Sequence, residues 1–273
     1  MGKRADRPII DLHCHIGPPL LGEELIGMMD QAGIDRAVIF PIPWLWTFPR
    51  EDNYYNTNDY IADMQAKYPG RFIGFACINP QFVGHQELGM PNLAVAELER
   101  CVKELGLRGL KIHPENHSFA VDMLVNSEFM KAVARLQKET NRKIPILSHG
   151  MTTIGAMPDQ FGKVASRYPE VPIIIAHGAG FQNLYFPSNE AVIHNENLYV
   201  DTAMTTVDDG HLLGVAARVG VEKIIFGSDH FGRNQKNLYG NFLYVLERAF
   251  PDAEQRALIL GGNLTRIMGL DWG

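Results

Sequence analysis

Two histidines stand one residue apart at the end of the first apolar run of the chain. The run reads IIDLHCHIG and places His13 and His15 on either side of Cys14. Because successive residues of a β-strand point to opposite faces, the two imidazoles are predicted to point the same way. Two imidazoles on one face can bind a single small cation, and Zn2+ takes histidine nitrogens at about 2.0–2.1 Å. A lone pair of this kind also arises by chance, so further ligands must come from elsewhere in the chain.

Other apolar runs also end in side chains that can bind metals or transfer protons. His149 ends ILSH, His177 ends IIIAH, and Asp229 ends IIFGSD. Lys111 and His113 end a further run, GLKIH. If these runs are the strands of a barrel, their carboxyl ends meet at one face and the side chains converge there. A third histidine and a carboxylate from this group would complete a metal site with room for water.

Eight apolar, β-branched runs alternate with longer segments of helical spacing. Such strands, buried on both faces, are typical of a parallel sheet covered by helices. The runs cover residues 9–13, 36–42, 72–78, 109–113, 144–149, 172–177, 198–202 and 223–229. Eight βα units fit a closed (β/α)8 TIM barrel of about 250 residues, whereas an open doubly wound sheet usually has five or six strands and a glycine-rich first turn. We therefore predict an α/β fold with a single barrel domain over residues 1–273.

The segments between the runs predict the helices. They cover residues 23–32, 58–67, 93–105, 127–140, 159–167, 208–219 and 241–250, and the closing segment predicts one or two more. The element after the sixth run is the least clear. Residues 43–57 are predicted to be irregular and aromatic-rich, and a stretch of that length often forms a substrate wall or a lid.

Composition narrows the classes of partner. The formal net charge of −6 argues against a broad surface for nucleic acid or anionic membrane. No stretch approaches the ~20 apolar residues of a membrane span, and no signal-peptide pattern opens the sequence. The three cysteines are far apart and predict no disulfide framework. We expect a cytoplasmic protein that acts on a small molecule.

The ordered set of motifs resembles the amidohydrolase superfamily, and within it the amidohydrolase-2 branch that includes relatives of aminocarboxymuconate-semialdehyde decarboxylase. The resemblance rests on IIDLHCHIG, PGRFIGFACINP, GLRGLKIHP, ILSHG, IIIAHGAG, LYVDTA, IIFGSDHF and ILGGNLTRI, which span almost the whole chain. It implies that His13, His15, His149 and Asp229 bind the metal. It also implies that Asp229 acts as general base and that His177 acts as acid, base or electrophile.

The resemblance leaves the number of metals open at Lys111. Binuclear relatives carry a carbamylated lysine that bridges two metals at about this position, with His177 as a ligand of the second metal. Lys111 would otherwise bind substrate, support the site or reach solvent at the barrel rim. His113, two residues on, faces either the site or the rim. One divalent metal is expected, with Zn2+ as the default and Mn2+ also fitting the ligands.

The same ligands serve two reactions. In hydrolysis, water activated by the metal attacks an amide, lactone or ester carbonyl, and this reaction is the expected function. The alternative is non-oxidative decarboxylation of an unsaturated or aromatic carboxylic acid. That reaction calls for an arginine near the substrate carboxylate, for which Arg50 and Arg233 are the candidates.

Two other functions are compatible with the predicted barrel. A metal-free lactonase would keep the fold without the metal, and a barrel that only binds a ligand would be expected to lack one of the metal ligands. Relatives of this fold often pair, so a homodimer is expected as well.

Overall fold

The eight apolar runs form eight parallel β-strands that follow one another around the sheet in chain order. The computed structural model describes residues 8–17, 21–41, 51–82, 92–150, 155–179, 185–203, 209–230 and 238–270, without the side chains of 51–56, 185–187 and 238. The strands are β1 (Ile10–Ile16), β2 (Arg36–Pro41), β3 (Phe72–Cys77), β4 (Gly109–Ile112), β5 (Ile146–His149), β6 (Ile173–Ala176), β7 (Leu198–Asp201) and β8 (Ile224–Ile225).

Backbone hydrogen bonds between the first strand and the last segment close the sheet into a barrel. Leu12 donates to the carbonyl of Phe226 at 2.9 Å, and His15 donates to the carbonyl of His230 at 2.8 Å. His230 in turn donates to the carbonyl of His13 at 3.2 Å. The strand that carries the histidine pair is therefore tied to the segment that carries Asp229. The predicted (β/α)8 barrel is confirmed.

Helices connect the strands and cover the outside of the barrel. They are α1 (Gly22–Ala32), α2 (Glu51–Lys67), α3 (Leu93–Lys103), α4 (Glu128–Thr140), α5 (Pro158–Arg167), α6 (Tyr185–Ile193), α7 (Asp209–Val219), α8 (Leu238–Ala249), α9 (Ala253–Ala257) and α10 (Asn263–Met268), with 3-10 turns at Val121–Asn126 and Val221–Lys223. The cap at Ser127 shows how the sequence sets such a boundary, because its hydroxyl accepts the backbone N–H of Met130 at 3.2 Å.

Two apolar layers hold the barrel together. The inner layer includes Leu12, Phe40, Phe75 and Tyr199, and the outer layer packs the sheet against the helices. Inward and outward side chains alternate along a strand. On β4 both neighbours of Lys111 belong to the outer layer, so Lys111 points into the barrel.

Two expectations differ from the structure. Residues 51–57, predicted to be irregular, form the first two turns of α2, and residues 43–50 lie outside the described part of the chain. The closing segment is more complex than one or two helices, since a π-helical turn over Leu258–Gly262 joins α9 to α10. Among the described residues, no helix has both the length and the apolarity to cross a bilayer.

Candidate metal centre

His13 and His15 lie at the carboxyl end of β1 and are almost completely buried. Nδ1 of His13 is 2.7 Å from a carboxylate oxygen of Asp201, and Nδ1 of His15 is 3.2 Å from the backbone carbonyl of Pro41. These oxygens only accept hydrogen bonds, so we assign the ring proton to Nδ1 in both histidines. Burial lowers the pKa of both rings and favours the neutral form. Each ring therefore presents a lone pair at Nε2.

Asp229, just after β8, completes this group. Its Oδ1 is 3.2 Å from Nε2 of His13 and 3.2 Å from Nε2 of His15. One ligand atom from each of the three residues lies within 4.8 Å of the others. Two lone pairs and a carboxylate oxygen repel one another at such distances unless a cation lies between them. The donor set therefore fits a divalent cation bound by two nitrogens and one oxygen.

His149, the fourth predicted ligand, lies in a neighbouring group. Its Nδ1 is 3.1 Å from Nε2 of His177, and its Nε2 is 3.7 Å from a carboxylate oxygen of Glu115. Its ring stacks on the ring of His113, with centroids 3.9 Å apart. His113, Glu115 and His149 also bring one ligand atom each within 4.8 Å of one another. The role of His149 in binding the same metal as His13 stays a prediction.

His113 therefore faces the site, and its proton position bears on this second group. Its Nδ1 accepts the backbone N–H of Asn116 at 3.3 Å. Burial lowers the pKa of His113 to about 2, so the ring is neutral and carries its proton on Nε2. In this form neither ring nitrogen of His113 offers a free lone pair, which weakens the second group as a metal site.

His177 lies between the two groups. Its ring centroid is 5.2 Å from that of His13 and 4.8 Å from that of His149. Its backbone N–H donates to Asp201 at 2.6 Å, so Asp201 supports both His13 and His177. His177 and Asp229 have φ of 64° and 57°, in the left-handed region that residues with a Cβ rarely adopt. Backbone strain of this kind concentrates at functional sites.

Lys111 enters the site from β4. Its side chain is fully buried, which makes the alternative of a lysine reaching solvent at the barrel rim wrong. Its Nζ is 3.1 Å from Nε2 of His13 and 5.0 Å from the ring centroid of Phe40. Burial lowers the pKa of Lys111 to about 8. Its carbamylation, and with it a second metal, stays a prediction.

The Asp11 side chain lies on the other side of β1 from His13 and His15, although strict alternation along the strand would place it on their face. The pairing of β1 with β2 shifts register between Asp11 and Cys14. Such an irregularity adds one residue to the strand and reverses the alternation of faces. The Asp11 carboxylate accepts hydrogen bonds from the thiol of Cys14 at 3.0 Å and from the backbone of Ser228 at 2.9 Å. It thus joins β1 to the residue that precedes Asp229.

Some predicted residues are not described, and some described residues were not predicted. Arg50 and Arg233 lie outside the described residues, as do the aromatic residues of 43–50. Sequence reasoning missed Glu115, Phe40 and the carbonyl of Pro41. Glu115 follows β4 closely and Pro41 ends β2, so their positions at strand ends were the available signal.

Comparison with known proteins places the chain in a family. Residues 47–270, more than four fifths of the chain, match the family model described as Amidohydrolase. The chain belongs to the amidohydrolase family. The match begins after His13 and His15 and includes His149, His177 and Asp229. The predicted amidohydrolase-2 branch is confirmed.

The relatives of this amidohydrolase have named activities. It is 26% identical over 216 residues to a gamma-resorcylate decarboxylase from Polaromonas, a match that covers 63% of this chain and 64% of that protein, less than two thirds of its length. It is 22% identical over 281 residues to a 2-amino-3-carboxymuconate-6-semialdehyde decarboxylase from Dictyostelium discoideum, covering 89% of this chain and 75% of that protein.

A solved structure confirms the fold. A dihydroxybenzoic acid decarboxylase from Polaromonas, crystallised with manganese and the inhibitor 2-nitroresorcinol, has a TM-score of 0.70 and 20% identity, with 98% of each chain covered.

These findings correct the expected reaction. Hydrolysis of an amide, lactone or ester was the main expectation, but the relatives are decarboxylases and support the alternative instead. The ligands alone could not separate the reactions, because one metal site serves both. The donor set of this chain fits a divalent metal, and the solved Polaromonas structure contains manganese. Zinc as the specific metal is not supported over manganese.

Proposed function

We propose that this amidohydrolase is a metal-dependent, non-oxidative decarboxylase of a small aromatic or unsaturated carboxylic acid. The observation that carries the proposal is the buried donor set of His13, His15 and Asp229, found in a chain whose relatives are decarboxylases. The donor atoms lie at the carboxyl ends of β1 and β8, the barrel face at which active sites of this fold form.

His13, His15 and Asp229 would hold the metal, with His149 as the proposed fourth ligand. When bound, a divalent cation supplies Lewis-acid chemistry, fixing and polarising a substrate oxygen. We propose manganese or zinc, and elemental analysis distinguishes them. Asp201 and the carbonyl of Pro41 keep the two β1 rings in the form that offers Nε2.

The reaction replaces a carboxyl group by a proton. The carbon–carbon bond to the carboxylate breaks, its electron pair stays on the substrate carbon, CO2 leaves, and a proton is added to that carbon. His177 and Asp229 are the proposed proton-handling side chains, since His177 lies beside His13, Asp229 is itself a proposed ligand, and both are buried. Their burial keeps bulk water from the reacting carbon.

The test is turnover by the metal-loaded protein. Gamma-resorcylate and 2-amino-3-carboxymuconate-6-semialdehyde are incubated with enzyme, and both CO2 and the product are quantified. In D2O the product should carry one deuterium at the former carboxyl carbon. His13→Ala and His177→Asn should each lower the rate at least 100-fold, and only His13→Ala should lose the metal. Lys223→Met, on the opposite end of the barrel, is the matched control and should keep both.

Elemental analysis accompanies this test. We expect about one equivalent of manganese or zinc in the wild type, because one donor set fits one cation. Metal-loaded enzyme that releases no CO2 from a wider panel of aromatic and unsaturated acids would refute the proposal. About two equivalents, falling to one in Lys111→Ala, would instead establish a carbamylated bridge. Light scattering tests the predicted homodimer separately.

A further inference from the structure

Lys111 carries a buried amino group that forms no direct ion pair with the described residues, although the carboxylates of Asp229 and Asp201 act on it from a longer distance. Its side chain is fully buried, and its Nζ has one hydrogen-bond acceptor among these residues, Nε2 of His13 at 3.1 Å. It forms no ion pair with them. An ammonium group has three N–H donors, and a buried charge is costly unless it is paired. The face of Phe40, 5.0 Å away, supplies a weak cation–π contact.

Binding of a metal removes the one acceptor that Lys111 has. The lone pair of His13 Nε2 cannot serve both the ammonium group and the cation. The two positive charges would then lie at most about 5 Å apart, given the 3.1 Å contact and a metal–nitrogen bond of about 2.1 Å. An anion that meets both charges removes this conflict. A carboxylate suits the position, because it has two oxygens and one negative charge.

We infer that Lys111 binds the carboxylate group of the substrate, the group that leaves as CO2. This inference rests on the proposed function. It gives Lys111, on β4, the carboxylate-binding role that was expected of Arg50 or Arg233. The described site is otherwise lined by neutral histidines and by the carboxylates of Asp229 and Asp201, none of which attracts an anion. Lys111 would thereby select acids over the corresponding neutral phenols.

The charge of the carboxylate disappears during the reaction, which decides the kinetic role of Lys111. An ammonium–carboxylate contact is strongest in the bound acid and weakens as the carboxylate becomes neutral CO2. Interactions that favour the ground state affect binding and do not speed the chemical step. Because the contact is weaker in the transition state than in the bound acid, removal of Lys111 should raise KM without lowering kcat.

The experiment compares two ligands that differ only in the carboxylate group. Binding of gamma-resorcylate and of resorcinol to metal-loaded protein is measured by calorimetry for the wild type, Lys111→Met and Lys223→Met. Methionine is similar in length to lysine and carries no charge, and the substitution leaves no directly paired carboxylate behind among the described residues. Lys223 is the matched control because its Nζ also lies over an aromatic ring, 4.8 Å from Tyr199.

The inference predicts a loss confined to the acid. Lys111→Met should weaken binding of gamma-resorcylate by about 10- to 100-fold, the size of one buried charge-assisted hydrogen bond. Binding of resorcinol and the metal content should change less than twofold. Lys223→Met should match the wild type with both ligands. For any acid that is turned over, KM should rise in Lys111→Met and kcat should not fall.

Other results would overturn the inference. These are equal losses for both ligands, unchanged binding of the acid, a collapse of kcat at constant KM, or a wild type that does not prefer the acid. The last comparison needs no variant, so it decides the matter even if Lys111→Met does not fold. A carbamate signal after loading with 13C-bicarbonate, absent in Lys111→Met, would also overturn it. If the acid binds through Lys111 without release of CO2, the proposed function fails, while the assignment of Lys111 as a carboxylate-binding residue stands.

Discussion

Asp201 offers the sharpest test of how the metal centre is built, through the substitution Asp201→Asn. One carboxylate oxygen accepts the backbone N–H groups of His177 at 2.6 Å and Ala203 at 3.1 Å. The other faces Nδ1 of His13 at 2.7 Å. In the Asp201→Asn variant the new amide oxygen should stay with the two backbone donors. In the reverse orientation the amide NH2 group would face these two backbone N–H groups, and no acceptor would be available to them. The amide NH2 must then face His13.

That orientation reverses the proton position on the His13 ring. Nδ1 would have to accept the amide N–H, so the ring proton would move to Nε2, the atom that faces Asp229. A protonated Nε2 has no lone pair for a metal. Loss of such a supporting partner typically lowers metal affinity 10- to 100-fold, or about 1.4–2.7 kcal/mol.

The assay is a competition titration of metal against a chelator of known affinity, with circular dichroism to verify folding. Asp35→Asn is the matched control, since Asp35 also accepts a backbone N–H, that of Ile9 at 2.8 Å, but at the opposite end of the barrel. We expect the control to bind metal like the wild type. A folded Asp201→Asn protein with metal affinity within twofold of the wild type would refute this account of the His13 ring.

Three further predictions concern stability. Saturating metal, at about 100 times its Kd, should stabilise the protein by about 2.7 kcal/mol and raise its Tm by roughly 5–10 °C. Thermal unfolding with and without a chelator measures this difference, and His15→Ala should abolish it. Gly178→Ala should lower the free energy of unfolding in urea by about 1–3 kcal/mol, because a Cβ there lies 2.5 Å from Val200. Gly27→Ala, whose Cβ meets nothing within 4 Å, should raise it by about 0.5–1 kcal/mol. Equal effects of the two substitutions would contradict the packing argument. Asp11→Ala leaves four donor groups without their buried acceptor and should lower the free energy of unfolding by at least about 3 kcal/mol in the same assay. A decrease of less than about 1 kcal/mol would be incompatible with these contacts.

Local sequence patterns were sufficient to predict the fold and the approximate position of the site. Eight apolar runs with helical segments between them predict a parallel barrel, because strands buried on both faces need apolar residues throughout. Within β1, the alternation of side chains brings His13 and His15 to one face, as the structure confirms by their shared contact with Asp229. The helix over residues 51–57 was missed because its aromatic and polar residues show no clear apolar period.

Tertiary structure alone decided how the side chains meet. Asp11 faces away from His13 because the register shifts within β1, which depends on the pairing with β2. The proton position of His13 depends on Asp201, which is 188 residues away in the chain. Lys111 became a buried charge because its neighbours on β4 face the outer layer and leave it the interior. The sequence determined which chemical groups gather at one end of the barrel; their distances, protons and burial arise from contacts between residues distant in the chain, which no local pattern records.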